Sequence, residues 1–261
     1  MNRHTFVVLA YKQSEHLEAC LASIRDQSEE SGVIISTSTP SPWLEEIAHR
    51  LGVKLIVSPD KTGIANDWNF ALSAADAEFV TLAHQDDLFH KDYAKHVRIA
   101  AQKHPNHSIL FCNYAEILDD VPRKNNLNLI IKRILLLPMY IHPSMKHRWA
   151  KRAVVSMGNP ICCPSVTYHT TVIPEFRFSS TYSINLDWDA WLRIAEMSGS
   201  FVYLKKLLFY HRIHSLSETS SGLQDKRRQR EDREIFGRLW PSPVARLFSA
   251  VYAWSYKSNR S

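Results

Sequence analysis

Two carboxylates, Asp86 and Asp87, stand side by side directly after the apolar run Glu78-Phe79-Val80-Thr81-Leu82-Ala83. Adjacent acids at a strand end repel each other unless solvent or a cation intervenes. Hard oxygen ligands of this kind suit Mg²⁺ or Mn²⁺ bridging to phosphate, although an isolated Asp-Asp pair is more often a solvated turn. The chain has 7 glycines and neither G-x-G-x-x-G nor G-x-x-x-x-G-K-[ST]. A bound diphosphate would therefore lack a glycine-rich cradle, and a metal would have to offset its charge. A second acidic pair, Asp187 and Asp189, opens the stretch Asp187-Trp188-Asp189-Ala190-Trp191-Leu192-Arg193. Acids at a helix start complement the helix dipole, and a carboxylate so placed can also act as general base toward an incoming hydroxyl. His211 and His214 follow an apolar strand. Histidines this close are usually surface residues, yet His214 can join a metal whose other ligands are oxygens. The 4 cysteines and 13 histidines show no zinc spacing, and no G-x-S-x-G elbow supports a serine hydrolase.

The elements that must position these residues follow from periodicity. Phe6 to Tyr11 is a continuous apolar run, as for a strand buried on both faces of a parallel sheet. Ser14 is expected to cap a helix carrying Leu17, Cys20, Leu21 and Ile24. Val33-Ile34-Ile35 and Val53 to Val57 read as strands, Trp43 to Leu51 and Ile64 to Ala75 as helices, and Glu78 to Ala83 as a fourth strand. The alternation indicates an α/β fold with a mainly parallel sheet flanked by helices. Ligands in such sheets bind beyond the carboxyl ends of the strands, which gathers Tyr11, Thr37, Ser38, Asp60, Gln85 and Asp86 around one crevice. After Asp120 the pattern changes to basic helix-like segments. A strand at 165–168, a helix at 186–197 and a strand at 201–204 follow. A basic tail, 219–261, carries a possible amphipathic helix at 244–256.

A chain of 261 residues with 45% hydrophobic and 22% charged residues is an ordinary globular protein, large enough to hold a core without disulfides. Cys20, Cys112, Cys162 and Cys163 form no C-x-x-C and fit free thiols in a reducing cytoplasm. No stretch reaches the roughly 18 apolar residues of a membrane span. The net charge of +6 is unevenly spread: residues 1–120 are acidic on balance, residues 121–261 strongly basic. Between Asp120 and Glu175 there is no carboxylate, whereas Arg123, Lys124, Lys132, Arg133, Lys146, Arg148, Lys151 and Arg152 fall there beside aliphatic clusters. A solvated basic face is one reading, and a peripheral site for an anionic membrane surface at the inner face of the cell membrane is the other. Nucleic acid is disfavoured, because stacking aromatics are sparse in the segment.

The whole pattern resembles the family 2 glycosyltransferases, inverting enzymes of the GT-A fold that use nucleotide-diphosphate sugars. The resemblance spans roughly residues 3–218 in the family's order. It rests on Phe6 to Tyr11, Gly63-Ile64-Ala65-Asn66-Asp67-Trp68-Asn69, Leu82-Ala83-His84-Gln85-Asp86-Asp87, Asn159 to Ser165, Asp187 to Arg193 and Tyr210 to His214. It implies a nucleotide-sugar half, 1–120, contacted through Ala10, Tyr11, Thr37, Ser38, Asp60, Gly63, Asn66, Asn69, Gln85 and Asp86. The acceptor half would be 121–218. By the same resemblance Asp86, Asp87 and His214 hold a divalent cation, Mn²⁺ or Mg²⁺, and Asp187, with Asp189 beside it, supplies the base. Two departures stand out. His84 occupies the first position of the usual D-x-D-D, which leaves the ion to Asp86 and Asp87. Ser36-Thr37-Ser38 replaces an acidic residue that reads the pyrimidine, and hydroxyls can bond a uracil or thymine edge in its place. The implied activity is hexosyl or deoxyhexosyl transfer to a glycan or lipid-linked hydroxyl in surface-polysaccharide synthesis. The alternatives are a non-catalytic nucleotide-sugar or glycan-binding module of the same fold and a nucleotidyltransferase, the latter disfavoured because a glycine-rich phosphate loop is absent.

Overall fold

A computed structural model describes residues 3–59, 63–213 and 227–257. Its centre is a ten-stranded mixed sheet. Strands β1 (His4–Ala10), β2 (Gly32–Thr37), β3 (Lys54–Val57) and β4 (Phe79–His84) form a parallel block in the order β3-β2-β1-β4. Side chains of β1 alternate between two cores, Phe6 and Val8 on one face and Val7 on the other, which is why the run carries no polar alternation. Helices α1 (Leu17–Arg25), α2 (Pro42–Leu51) and α3 (Ile64–Ala74) connect these strands. Ser41 accepts the Leu44 N–H at the start of α2, and Gly52, at φ 62°, terminates that helix in the left-handed region. Ser14 does not cap α1. That helix begins at Leu17 after His16, and the Ser14 hydroxyl instead accepts the His16 N–H in the preceding turn.

The second half completes the sheet through elements with weaker sequence signals. Strand β5 (Leu88–Phe89) leads to α4 (Tyr93–Lys103) and the long β6 (His107–Leu118), then to β7 (Val121–Arg123). Three helices follow, the basic α5 (Leu127–Leu135), the uncharged α6 (Leu137–Ile141) and the basic α7 (Arg148–Ser156), with β8 (Ser144–Met145) between the last two. Strand β9 (Val166–His169) inserts antiparallel between β4 and β6. After α8 (Leu186–Glu196), β10 (Ser200–Arg212) runs parallel to β6, far longer than the 201–204 expected. Its middle residues Lys205 and Lys206 are exposed, which hides the strand from an apolar-run criterion.

The segment after Lys226 carries two helices, α9 (Arg227–Leu239) and α10 (Ser242–Lys257). Ile235 and Phe236 are fully buried in the same core as Trp188 and Trp191. Burying two such side chains contributes about 3–6 kcal/mol. Gly158, at φ 152°, lies where an added methyl would meet Tyr252 at 3.0 Å and Leu135 at 3.1 Å, so α10 sits directly beside the end of α5.

Candidate active site

The crevice lies at the carboxyl ends of the parallel strands. Gln85 locks two of these ends together: its Oε1 accepts the Tyr11 N–H at 3.1 Å and its amide donates to the Tyr11 carbonyl at 3.0 Å. Tyr11 is left with an exposed ring, whereas Ala10 is buried and offers only backbone. Lys12 takes a positive φ of 56° and donates its N–H to Thr39 Oγ1 at 2.7 Å, and the Thr39 N–H in turn reaches Thr37 Oγ1. The Ser38 hydroxyl donates to Asp67 Oδ2 at 2.9 Å, while Asp67 Oδ1 is buried without a partner. Burial raises the Asp67 carboxyl, and the Ser38 bond only partly offsets this. The Ser38 hydroxyl after β2 is thus tied to an acid of α3. Gly63, at φ 85°, precedes the first turn of α3, where Asn66 is exposed. Asn69 has both ends of its amide on the Phe178 backbone, at 2.9 and 2.7 Å, and braces α3 against that loop. Asp60 and His214 lie outside the described residues.

His84, Asp86 and Asp87 each offer a ligand atom within 4.8 Å of the others. His84, read from sequence as a departure that leaves the ion to the two acids, is therefore part of the cluster. Its ring sits 5.3 Å from that of Trp68, and its Nε2 is buried without a partner. Asp87 is fully buried. Its Oδ1 accepts from the Arg212 N–H at 2.8 Å and from His211 Nδ1 at 3.0 Å, and its Oδ2 has no partner. Burial alone would lower His211, but the Asp87 charge and hydrogen bond outweigh it and raise its pKa. An imidazole and two carboxylates with two buried, unsatisfied ligand atoms fit a divalent cation by chemistry and by need.

The two acids in the first turn of α8 separate. Asp187 is half-buried; its Oδ2 accepts from the Asn159 amide at 2.7 Å and its Oδ1 from the Trp188 N–H at 2.7 Å. Burial raises its carboxyl above the ordinary aspartate value, against the opposing pull of Arg228, Asn159, the Trp188 N–H and Lys132. Asp189 is 3% exposed and paired with Arg238 of α9 at 2.7 Å, so it braces a helix pair and is closed to an acceptor. The loop entering α8 is held by α9: Glu231 accepts from the N–H groups of Ser183, Ile184 and Asn185 and from the Ser183 hydroxyl. Burial above all, and with it the charges of Asp187 and Asp87, pushes up the Cys163 thiol, and the Lys132 charge acts on both Asp187 and His211. Sequence reasoning passed over His84 as a ligand, and Asn159, Glu231 and Arg238 as supports. For Asn159 the signal was its place at the head of a family motif; the other two are set by tertiary packing.

The family model for Glycosyl transferase family 2 matches residues 5–208. The chain belongs to glycosyltransferase family 2. No curated protein sequence matches this glycosyltransferase. Among solved structures it is similar to residues 1–349 of S. aureus TarS in complex with UDP-GlcNAc, with a TM-score of 0.67 and 16% identity over 96% of this chain and 71% of that one. It is also similar to the mannosyltransferase PcManGT from Pyrobaculum calidifontis in complex with GDP-Man and Mn²⁺, with a TM-score of 0.64 and 14% identity over 97% of this chain and 69% of that one. At such identities these likenesses establish the fold, which is GT-A.

Proposed function

We propose that this glycosyltransferase moves a hexosyl or deoxyhexosyl group from a nucleotide-diphosphate sugar to a glycan or lipid-linked hydroxyl, inverting the anomeric carbon, in surface-glycan synthesis. The observation that carries the reading is Asp187, oriented at both oxygens in the first turn of α8, in a chain that also gathers His84, Asp86 and Asp87. Each Asp187 oxygen keeps a lone pair for the acceptor hydroxyl. Its raised pKa makes the ionised carboxylate a stronger proton acceptor. As the hydroxyl attacks the anomeric carbon, Asp187 takes its proton and the bond to the diphosphate oxygen breaks. A single displacement inverts the centre.

His84, Asp86 and Asp87 would hold the cation, and the imidazole favours Mn²⁺ over Mg²⁺. When bound, such a cation offsets the charge that develops on the diphosphate leaving group. The exposed Tyr11 ring offers a stacking surface for the base, and the Ser38–Asp67 pair offers polar groups to its edge. The complexes of TarS with UDP-GlcNAc and of PcManGT with GDP-Man and Mn²⁺ support a donor of this class. The test is a panel of UDP-, dTDP- and GDP-sugars with Mn²⁺ or with chelator, reading nucleoside diphosphate release and the anomeric configuration of the product. Binding of a donor without release of nucleoside diphosphate, in the presence of acceptor, would favour a binding module instead.

A further inference from the structure

We propose that helices α5, α6 and α10 form a docking face for an anionic phospholipid bilayer. Ile130, Ile134, Leu137 and Ile141 recur at spacings of four, three and four along the consecutive helices α5 and α6, and all are exposed, Ile134 by 56% and Ile141 by 75%. On α10 the pair Leu247 and Val251, one turn apart, is 60% and 57% exposed. The two helical stretches are neighbours, since Tyr252 and Leu135 both close on Gly158. Water-facing aliphatics at helical spacing on adjacent helices are uncommon on a protein that works alone in solution.

The charge around them selects the partner. Arg123, Lys124, Lys146, Arg148 and Arg246 are exposed nearby in sequence, and residues 121–174 contain no carboxylate. An aliphatic stripe in a cation-rich, carboxylate-free stretch of chain, with the neighbouring Glu116 engaged by Asn126 and Asn128, matches a surface of anionic head groups over hydrocarbon. No helix among the described residues is long and apolar enough to cross a membrane, so the contact would be peripheral. The face is also coupled to the chemistry. Tyr252 of α10 accepts the Asn159 N–H at 3.1 Å, and the Asn159 side chain holds Asp187. An acceptor hydroxyl carried at a bilayer surface would then be presented beside the candidate base. The docking face goes beyond the transfer reading and stands on the surface alone.

The experiment is flotation of the full chain with vesicles of phosphatidylcholine, with and without phosphatidylglycerol, at low and high salt. The expected result is at least about tenfold more binding to the anionic vesicles at low salt, lost at high salt as screening removes the attraction. The double variant Ile134→Glu with Leu247→Glu should lose about tenfold in bound fraction, with an unchanged melting temperature and unchanged nucleoside diphosphate binding. Equal, negligible binding to both vesicle types would overturn the proposal. So would a vesicle-independent dimer that the same double variant dissolves, which would assign the face to a second copy. Sugar transfer by a protein that binds no vesicles would sink the docking face and leave the transfer reading standing.

Discussion

The Asn159 side-chain amide reaches Asp187 Oδ2 at 2.7 Å, and this bond holds the less buried of the two acids in the first turn of α8. Asp187→Asn keeps the size and the place in the first turn but removes the proton acceptor. Turnover should fall roughly 10²–10⁴-fold with donor affinity little changed. The neighbouring change Asp189→Asn should act differently, lowering the melting temperature through its lost partner Arg238. A larger loss of turnover from Asp189→Asn in a fully folded protein would reverse the assignment.

The pH profile carries the same assignment by another route. Burial raises Asp187, so the acid limb of kcat should lie above the ordinary aspartate value, with activity present above that limb and lost as pH falls through it. Asn159→Ala removes a donor that favours the charged carboxylate. The limb should then move further up in pH, and turnover at the plateau should fall as the base loses its orientation. Measuring kcat from acid to neutral pH for both proteins checks this. An unmoved limb would place the titrating group elsewhere.

For the metal cluster, His84→Ala and Asp86→Asn should each weaken Mn²⁺-dependent nucleoside diphosphate binding by about tenfold or more. Asp87→Ala is a harsher change than the sequence suggests. It strips a buried acceptor from His211 and from the Arg212 N–H, so it should cost about 3–5 kcal/mol of stability as well as the metal. Calorimetric titration of Mn²⁺ and nucleoside diphosphate, beside thermal melts, separates the two effects. Full affinity in His84→Ala would return that residue to a merely packed histidine.

Asp67 tests the base subsite. Its Oδ2 is held by Ser38 and its Oδ1 has no partner, so a base N–H is the kind of group it would accept. Asp67→Ala should lower nucleoside diphosphate affinity about tenfold and blur the preference among UDP, dTDP and GDP. Unchanged ranking of the three would leave Tyr11 stacking as the base contact.

What was legible in the sequence tracks how local each signal is. The β1 to β4 alternation could be read because buried parallel strands are apolar on both faces, and Ser41, Pro42 and Gly52 mark both ends of α2. Strand β6 escaped because residues 88–118 mix polar and apolar positions without a clean period, and β10 because Lys205 and Lys206 interrupt it. At the site, Asp86, Asp87 and Asp187 were visible as acids at element ends. Their supports were not, since Asn159, Glu231 and Arg238 act across 28, 46 to 48, and 49 residues of chain. His84 did not stand out because it departs from the D-x-D-D pattern, and its place beside Asp86 and Asp87 is set by the fold.

Glu231 ties the C-terminal helices to the loop that enters α8. Burial by itself would raise its carboxyl, but the N–H groups of Ser183, Asn185 and Ile184 and the Ser183 hydroxyl outweigh it and hold it below the ordinary glutamate value. A carboxyl lowered by folding adds stability that is fully present above its unfolded value. That stability is lost as pH falls through the folded value. Glu231→Gln keeps the shape, but its amide oxygen can accept at only one end and its NH2 faces donors at the other, at a cost of about 1.5–3 kcal/mol. The melting temperature should drop by roughly 2–4 °C per kcal/mol at neutral pH, and the difference from the native chain should shrink as the pH is lowered into the acid range. The loop 183–185 enters the helix of Asp187, so turnover should fall while Mn²⁺ and nucleoside diphosphate binding, which does not use that loop, persist. Melts of both proteins across the acid range, with donor titrations at neutral pH, check this. A stability gap that stays constant with pH would show that the Glu231 charge does not hold the loop.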